Sequence, residues 1–230
     1  MNSQKRTRAE ARIDQIETIK EVSRRLIADK GVTGLSLREV AREMGLVSSA
    51  LYRYFATRDD LLTALILDAY NDLGAAVERA ERRSVALDSR GRWHAATRAI
   101  RRWAKQHPHE YALIYGTPVP NYVAPQETIV AATRVSGVLA RILVDDWARR
   151  PPRRDRVRTN VRSFLMVENV RALLPNVPSD QYLGALMAWT HVFGFINFEL
   201  FGQYVGTVSN ADVMFERAMD QLADALQLQS

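Results

Sequence analysis

An all-α protein is the fold that the sequence predicts. Apolar residues recur at spacings of three and four along almost the whole chain, and runs of alternating β-branched residues are few. Glycine and proline, at 11 and 8 in 230 residues, are too sparse to punctuate a strand-rich chain. With 47% apolar residues the chain can bury a real core, which argues against disorder.

Taken in order, Ile13, Ile16, Ile19, Leu26 and Ile27 form a first stripe, closed after Lys30 by Gly31, a residue suited to a helix C-cap. Leu37, Val40, Ala41 and Met44 form a second, short one that stops at Gly45. Leu51 and Phe55 mark a third helix over 48–55. A fourth carries Leu61, Leu62, Leu65, Ala69 and Leu73 and continues to about Arg83. Breaks at Asp88–Gly91, Gly116–Pro125, Arg150–Pro152, Pro175–Ser179 and Gly206–Asn210 then bound helices near 91–106, 109–115, 126–149, 156–173, 180–204 and 211–228. No fixed-period repeat or low-complexity tract appears. The expected division is a small module over 1–57 and a larger helical domain over 58–230.

Two capping signals lie in the first module. Ser36 followed by Glu39 reads as a capping box, with the hydroxyl taking a first-turn amide and the carboxylate reaching back. Thr57 with Asp60 repeats the pattern, and Asp59 and Asp60 suit the positive end of the fourth helix. Two short helices joined by a glycine-containing turn make a helix-turn-helix. With Leu51 and Phe55 facing inward, the second helix presents Ser48, Ser49, Tyr52 and Arg53 outward. Small hydroxyls, a phenol and a guanidinium suit a helix lying in a DNA major groove. Arg53 can grip a guanine edge in a bidentate pair or hold a phosphate. Ser36, Tyr52 and Tyr54 are natural phosphate ligands. Lys5, Arg6 and Arg8 form a basic arm able to follow the backbone or minor groove. Against this stands plain packing, because helix-turn-helix geometry also occurs without DNA, but two capping signals, the turn glycine and the aromatic run together outweigh it.

These residues resemble the DNA-binding domain of the TetR family of bacterial regulators. The resemblance runs over about residues 13–66 and is carried by Ser36-Leu37-Arg38-Glu39-Val40-Ala41, Gly45, Ala50-Leu51-Tyr52-Arg53-Tyr54-Phe55 and Arg58-Asp59-Asp60-Leu61. It implies that Tyr52, Tyr54 and Arg58 grip phosphates while Ser48, Ser49 and Arg53 sit over the bases, and it brings Leu37, Arg38 and Ala50 into the DNA-contacting set. Three positions depart from the family pattern. Val47 replaces the usual Ser or Thr cap of the recognition helix, so Ser48 or a water takes over the cap and Val47 is placed to touch a thymine methyl. Tyr54 replaces a common His and Arg58 a common Lys, both keeping phosphate-binding chemistry.

The larger domain is less legible. Tyr111 through Pro118, and Trp189 through Gly194 to Gly202, resemble a C-terminal subtype named for a Trp-His-Gly signature. Phe193 rather than His precedes Gly194 here, with His191 two residues earlier. The resemblance implies a helical sensor that binds a small molecule and forms a homodimer through its last two long helices. Pocket candidates are Trp103, Tyr111, Tyr115, Trp147, Phe164 and Trp189, whose aromatic walls suit an apolar or aromatic effector. The plain alternative for each is that it fills core. His107-Pro108-His109 is not a metal-ligand spacing, and neither metal nor cofactor is expected.

Charge and composition bound the rest. The net charge is +6, yet residues 149–162 alone carry seven Arg against Asp155, and residues 1–60 carry 12 basic against 9 acidic side chains. The overall charge therefore says little about the helix-turn-helix; the Arg run reads as a solvated loop or a second anion-binding segment. There is no cysteine, which removes disulfides and thiolate chemistry. The start of the chain lacks the apolar stretch of a signal peptide, so a cytoplasmic protein is expected. Residues 185–205 approach the length of a membrane span, but His191, Asn197, Glu199 and Gln203 lie inside it. One mid-membrane Glu costs about 2.5–3.5 kcal/mol, so a buried helix is the better reading. No Gly-x-Ser-x-Gly, phosphate-binding Gly loop or His-Glu-x-x-His appears, so no catalytic residue is nominated. The functional expectation is a ligand-responsive repressor on a palindromic double-stranded operator. An architectural DNA binder without ligand control and a helical small-molecule enzyme remain the alternatives.

Overall fold

The structure is a computed structural model that describes residues 7–149 and 179–229; they form nine α-helices, a 3-10 turn and no strand. The helices are α1 (Arg8–Lys30), α2 (Leu37–Glu43), α3 (Ser48–Leu51), α4 (Arg58–Arg83), α5 (Ser89–Gln106), α6 (Pro108–Tyr115), α7 (Glu127–Arg149), α8 (Ser179–Leu200) and α9 (Ala211–Ala225). The expected helix over 156–173, with Phe164 and the arginines from Arg150 to Arg162, lies outside the described residues, as do Lys5 and Arg6.

Helix ends follow local chemistry. Thr7 and Glu10 form a full capping box at the start of α1, with Thr7 N donating to Glu10 Oε2 at 2.7 Å and Glu10 N to Thr7 Oγ1 at 3.2 Å. Arg8 is thereby the first residue of a helix rather than part of a trailing arm. Thr57 and Asp60 make the second full box, at 2.9 and 3.1 Å. The third helix closes at Leu51 instead of Phe55, because the Leu51 carbonyl accepts from both Tyr54 N (2.8 Å) and Phe55 N (3.0 Å) and tightens the following turn. The helix α8 ends at Leu200, short of residue 204, in a Schellman closure: Gln203 N reaches Phe198 O at 2.8 Å around Gly202, whose φ is 76°.

Backbone contacts divide the chain into two compact units, 1–70 with 108–129 and 71–107 with 130–230. The division falls within α4, beyond the expected position near 57. In the first unit, Ile19, Val22, Leu26 and Ile27 of α1 pack with Val40, Leu51, Phe55, Leu61, Leu62 and Leu65 in one cluster. Each such burial contributes about 1.5–3 kcal/mol relative to an exposed side chain. Ile13 is 60% exposed, so the buried stripe of α1 begins later than its apolar pattern. Leu113, Ile114, Val119 and Tyr122 pack on the same cluster, which is why residues 108–129 belong to this unit. Polar ties fasten them: Tyr122 Oη lies 2.9 Å from Thr63 Oγ1, and Tyr70 Oη donates to the Ile114 carbonyl at 3.3 Å.

The second unit buries Trp93, Ile100, Val138, Ile142, Val192, Ile196, Phe215 and Met219. Its indole donors are satisfied across helices, Trp93 Nε1 by Met219 O at 3.1 Å and Trp147 Nε1 by Leu226 O at 3.2 Å. Guanidinium–carboxylate pairs join the same helices. Arg101 binds Glu199 through two contacts of 2.6 Å and also Asp212 at 2.5 Å, and Arg98 binds Glu216 at 2.7 and 2.6 Å.

Candidate DNA-binding surface

The surface is built on the α2–turn–α3 segment of the first unit. Ser36 caps α2, its Oγ accepting from Glu39 N at 3.1 Å. The return half of the expected box is absent. Glu39 instead binds Lys30 and Arg42, because two cations within reach hold a carboxylate more strongly than one neutral amide. Hydrogen bonding from Lys30 leads the causes that hold the Glu39 carboxyl below its ordinary range. The turn after α2 is a Schellman closure around Gly45, with Leu46 N on Ala41 O at 2.8 Å and Gly45 N on Arg42 O at 3.1 Å. Its φ of 66° explains the glycine.

The turn feeds α3 in the orientation that the apolar spacing required. Leu51 and Phe55 are buried, and Ser49, Tyr52 and Arg53 share the opposite, exposed side. Tyr52 is 51% exposed, and Val47, at 71%, is among the most exposed apolar residues of the unit. Ser48 and Ala50 are half-buried. Neither Val47 nor Ser48 supplies a side-chain cap to α3; the first turn is closed by Ala50 N on Val47 O at 2.9 Å. Ser48 therefore does not replace the missing hydroxyl. Arg38 and Arg53 are exposed and pair with no acid among the described residues.

Two side chains behave differently from their sequence reading. Leu37 is 4% exposed and belongs to the core, so its side chain is not available to DNA. Its backbone amide is one of the first-turn donors of α2 that a helix leaves without an intrahelical partner. Arg58 is turned back onto the protein, with Nε on Leu35 O at 2.9 Å, Nη2 on Val32 O at 3.0 Å and Nη1 on Asp59 at 3.3 Å. It clamps the 3-10 turn Val32–Gly34 and the start of α2 to the start of α4.

Sequence reasoning missed Arg12. Its guanidinium lies 5.3 Å from the centre of the Tyr54 ring and donates to Arg53 O at 3.3 Å, tying α1 to the end of the recognition segment. No local signal marks a contact across 41 residues.

The aromatic effector candidates fall into separate environments. Tyr111 and Tyr115 lie in the first unit, 5.2 Å apart, and Tyr70 meets Tyr115 edge-on at 6.0 Å. Burial pushes both the Tyr111 and Tyr115 hydroxyls well above the ordinary phenol range. Trp103, Trp147 and Trp189 lie in the second unit. Trp103 stacks on His107 at 5.0 Å, Trp147 is held in the core by Leu226, and Trp189 is partly exposed beside Phe193 at 5.4 Å.

Comparison with known proteins bears directly on this surface. Residues 19–65 match the family model described as bacterial regulatory proteins, tetR family. Residues 93–222 match the tetracyclin repressor-like C-terminal domain. The chain is 41% identical over 205 residues to the HTH-type transcriptional regulators Rv1816 of Mycobacterium tuberculosis and Mb1846 of Mycobacterium bovis, covering 83% of each chain. Among solved structures, the regulatory protein SCO4313 superposes with a TM-score of 0.74 at 29% identity, over 95% of this chain and 100% of that one. A TetR family regulator from Marinobacter aquaeolei shares the fold at 18% identity, with a TM-score of 0.63 over 94% and 97% of the two chains. No helix among the described residues is long and apolar enough to cross a membrane. The chain belongs to the TetR family and is a DNA-binding transcriptional regulator, not an enzyme.

Proposed function

We propose that the chain acts as a homodimeric repressor on a near-palindromic operator and leaves it when a small effector binds the helical domain. The exposed side of α3, with Ser49, Tyr52 and Arg53 opposite the buried Leu51 and Phe55, carries the DNA half of this reading. In it, Arg53, Ser48, Ser49 and Val47 face the bases, while Ser36, Arg38, Tyr52, Tyr54 and the amides at the start of α2 hold phosphates. Arg58 serves that surface by positioning α2.

The dimer half rests on α8 and α9. Leu186, Met187, Phe198 and Met214 are exposed there, and a groove of about 500 Å3 between the two helices is lined by Phe198, Met214 and Leu222. Pairing these helices with those of a second copy covers the groove in a four-helix arrangement. Two recognition helices then enter successive major grooves, about 34–36 Å apart on one DNA face. An effector that binds better to a conformer with another spacing lowers DNA affinity, by no more than its differential affinity for the two states.

The test is selection of a random double-stranded DNA pool on the purified protein at about 150 mM salt, where counterion-driven binding is already weakened. The expected result is an enriched near-palindrome bound by two protomers. Weak, unselective binding that vanishes with added salt would refute operator recognition.

A further inference from the structure

The second unit contains an open groove of about 400 Å3 between α4 and α5, separate from the α8–α9 groove. Its shape follows from residue size. Ala76 and Ala80 on α4 face Ala99 on α5, so the two helices leave space where larger side chains would fill it. Trp103, stacked on His107 with ring centroids 5.0 Å apart and planes 28° apart, also lines it.

The groove gathers positive charge. Arg79 and Arg83, one turn apart on α4, and Arg102 on α5 line it, against a single acid, Asp72. None of the three arginines forms an ion pair or hydrogen bond among the described residues, and all three are exposed. Elsewhere in the unit Arg90, Arg92, Arg98, Arg101 and Arg134 each bind a carboxylate. Three guanidiniums from two helices thus border one space with none of them ion-paired, beside an indole.

We propose that this groove binds an organic anion, a carboxylate or phosphate joined to a flat apolar group. The anionic end pairs with Arg79, Arg83 and Arg102, for which planar, forked donors are well matched. The flat group lies on the alanine floor against the Trp103 edge. The site does not depend on the repressor reading, but its regulatory role does, and it makes the effector an anion rather than a neutral apolar molecule.

Titration calorimetry on the full chain tests it with four probes: benzoate, phenyl phosphate, inorganic phosphate and benzyl alcohol. Benzoate or phenyl phosphate should bind once per protomer, and whichever is tighter identifies the anionic group. Inorganic phosphate and benzyl alcohol should each bind at least about tenfold more weakly, since each lacks one half of the ligand. The Arg79→Gln/Arg83→Gln pair and Arg102→Gln should each weaken binding about tenfold or more, and these exposed changes should leave the thermal unfolding curve in place. Ala76→Leu keeps every charge but fills the floor, and should also abolish binding. Equal binding of benzyl alcohol, indifference to the arginine substitutions, or no binding of either aryl anion up to about 10 mM would each overturn the site. The selected operator then separates the two readings. Loss of DNA affinity on adding the bound aryl anion makes the groove an effector site. Anion binding that leaves DNA affinity unchanged removes that role while the site stands.

Discussion

Arg53 and Arg58, five residues apart, show how differently two arginines can serve one surface. Arg53 is exposed and free of acidic partners among the described residues, and its Ala substitution should cost about 1–3 kcal/mol of operator affinity while relaxing preference at one base pair. Unchanged base preference in a repeat selection would assign it to phosphate instead. Arg58, by contrast, satisfies the Leu35 and Val32 carbonyls. Arg58→Ala should lower unfolding stability by about 1–3 kcal/mol, measured in urea, because it leaves those acceptors without their donors. Its effect on DNA binding should appear as lower affinity with an unchanged salt slope, whereas loss of a phosphate contact would reduce the slope by about 1. Arg12 packs over the Tyr54 ring, so Arg12→Ala should weaken DNA binding, read as a higher Kd for the selected operator.

At the scale of elements, the α2–α3 turn and the charged seams of the second unit make separate predictions. A Cβ added to Gly45 meets nothing within 4 Å, so Gly45→Ala suffers only the cost of a left-handed backbone, about 1–2 kcal/mol. Gly45→Asn should recover part of that loss, because Asn tolerates the conformation better.

Acid should act mainly through α8 and α9. Burial by itself raises the Glu199 pKa, but hydrogen bonds and charge from Arg101 and Lys105 outweigh it and bring the pKa below the ordinary 4.5. Glu216 and Asp220 are lowered as well, chiefly by Arg98 and His94 respectively. A lowered folded-state pKa contributes stability that is present above the unfolded value and lost as pH falls through the folded one. Thermal unfolding should therefore be insensitive to these groups near neutrality and fall as pH drops below about 4.5. Arg101→Met should remove much of that acid dependence, and should cost about 1–3 kcal/mol at pH 7 by leaving the half-buried Glu199 with Lys105 alone.

For the whole molecule, the decisive quantity is the assembly state. If α8 and α9 pair with a second copy, Phe198→Glu places a charge in an apolar seam and should shift the sedimenting species from twice 26.1 kDa to a single chain. Operator affinity should fall with it, since a single recognition helix loses the linkage to its partner. A dimer that survives this change with full DNA affinity would place the interface elsewhere.

Most helices among the described residues, and the helix-turn-helix, were legible in the sequence, because periodicity and capping act over a few residues. Thr57 and Asp60, and Gly45, do their work within one turn of themselves, and Leu51 and Phe55 lie four residues apart on one face. Tertiary structure decided which distant groups meet. It sent Glu39 to Lys30, Arg58 to the carbonyls before α2, and Arg12 to Tyr54. It also packed residues 108–129 with the DNA-binding helices, so that Tyr111 and Tyr115 belong to one unit and Trp103 and Trp147 to the other. A long charged or aromatic side chain takes its partner from whatever the fold brings within a few ångströms. Sequence spacing carries that information only when both partners lie on the same helix.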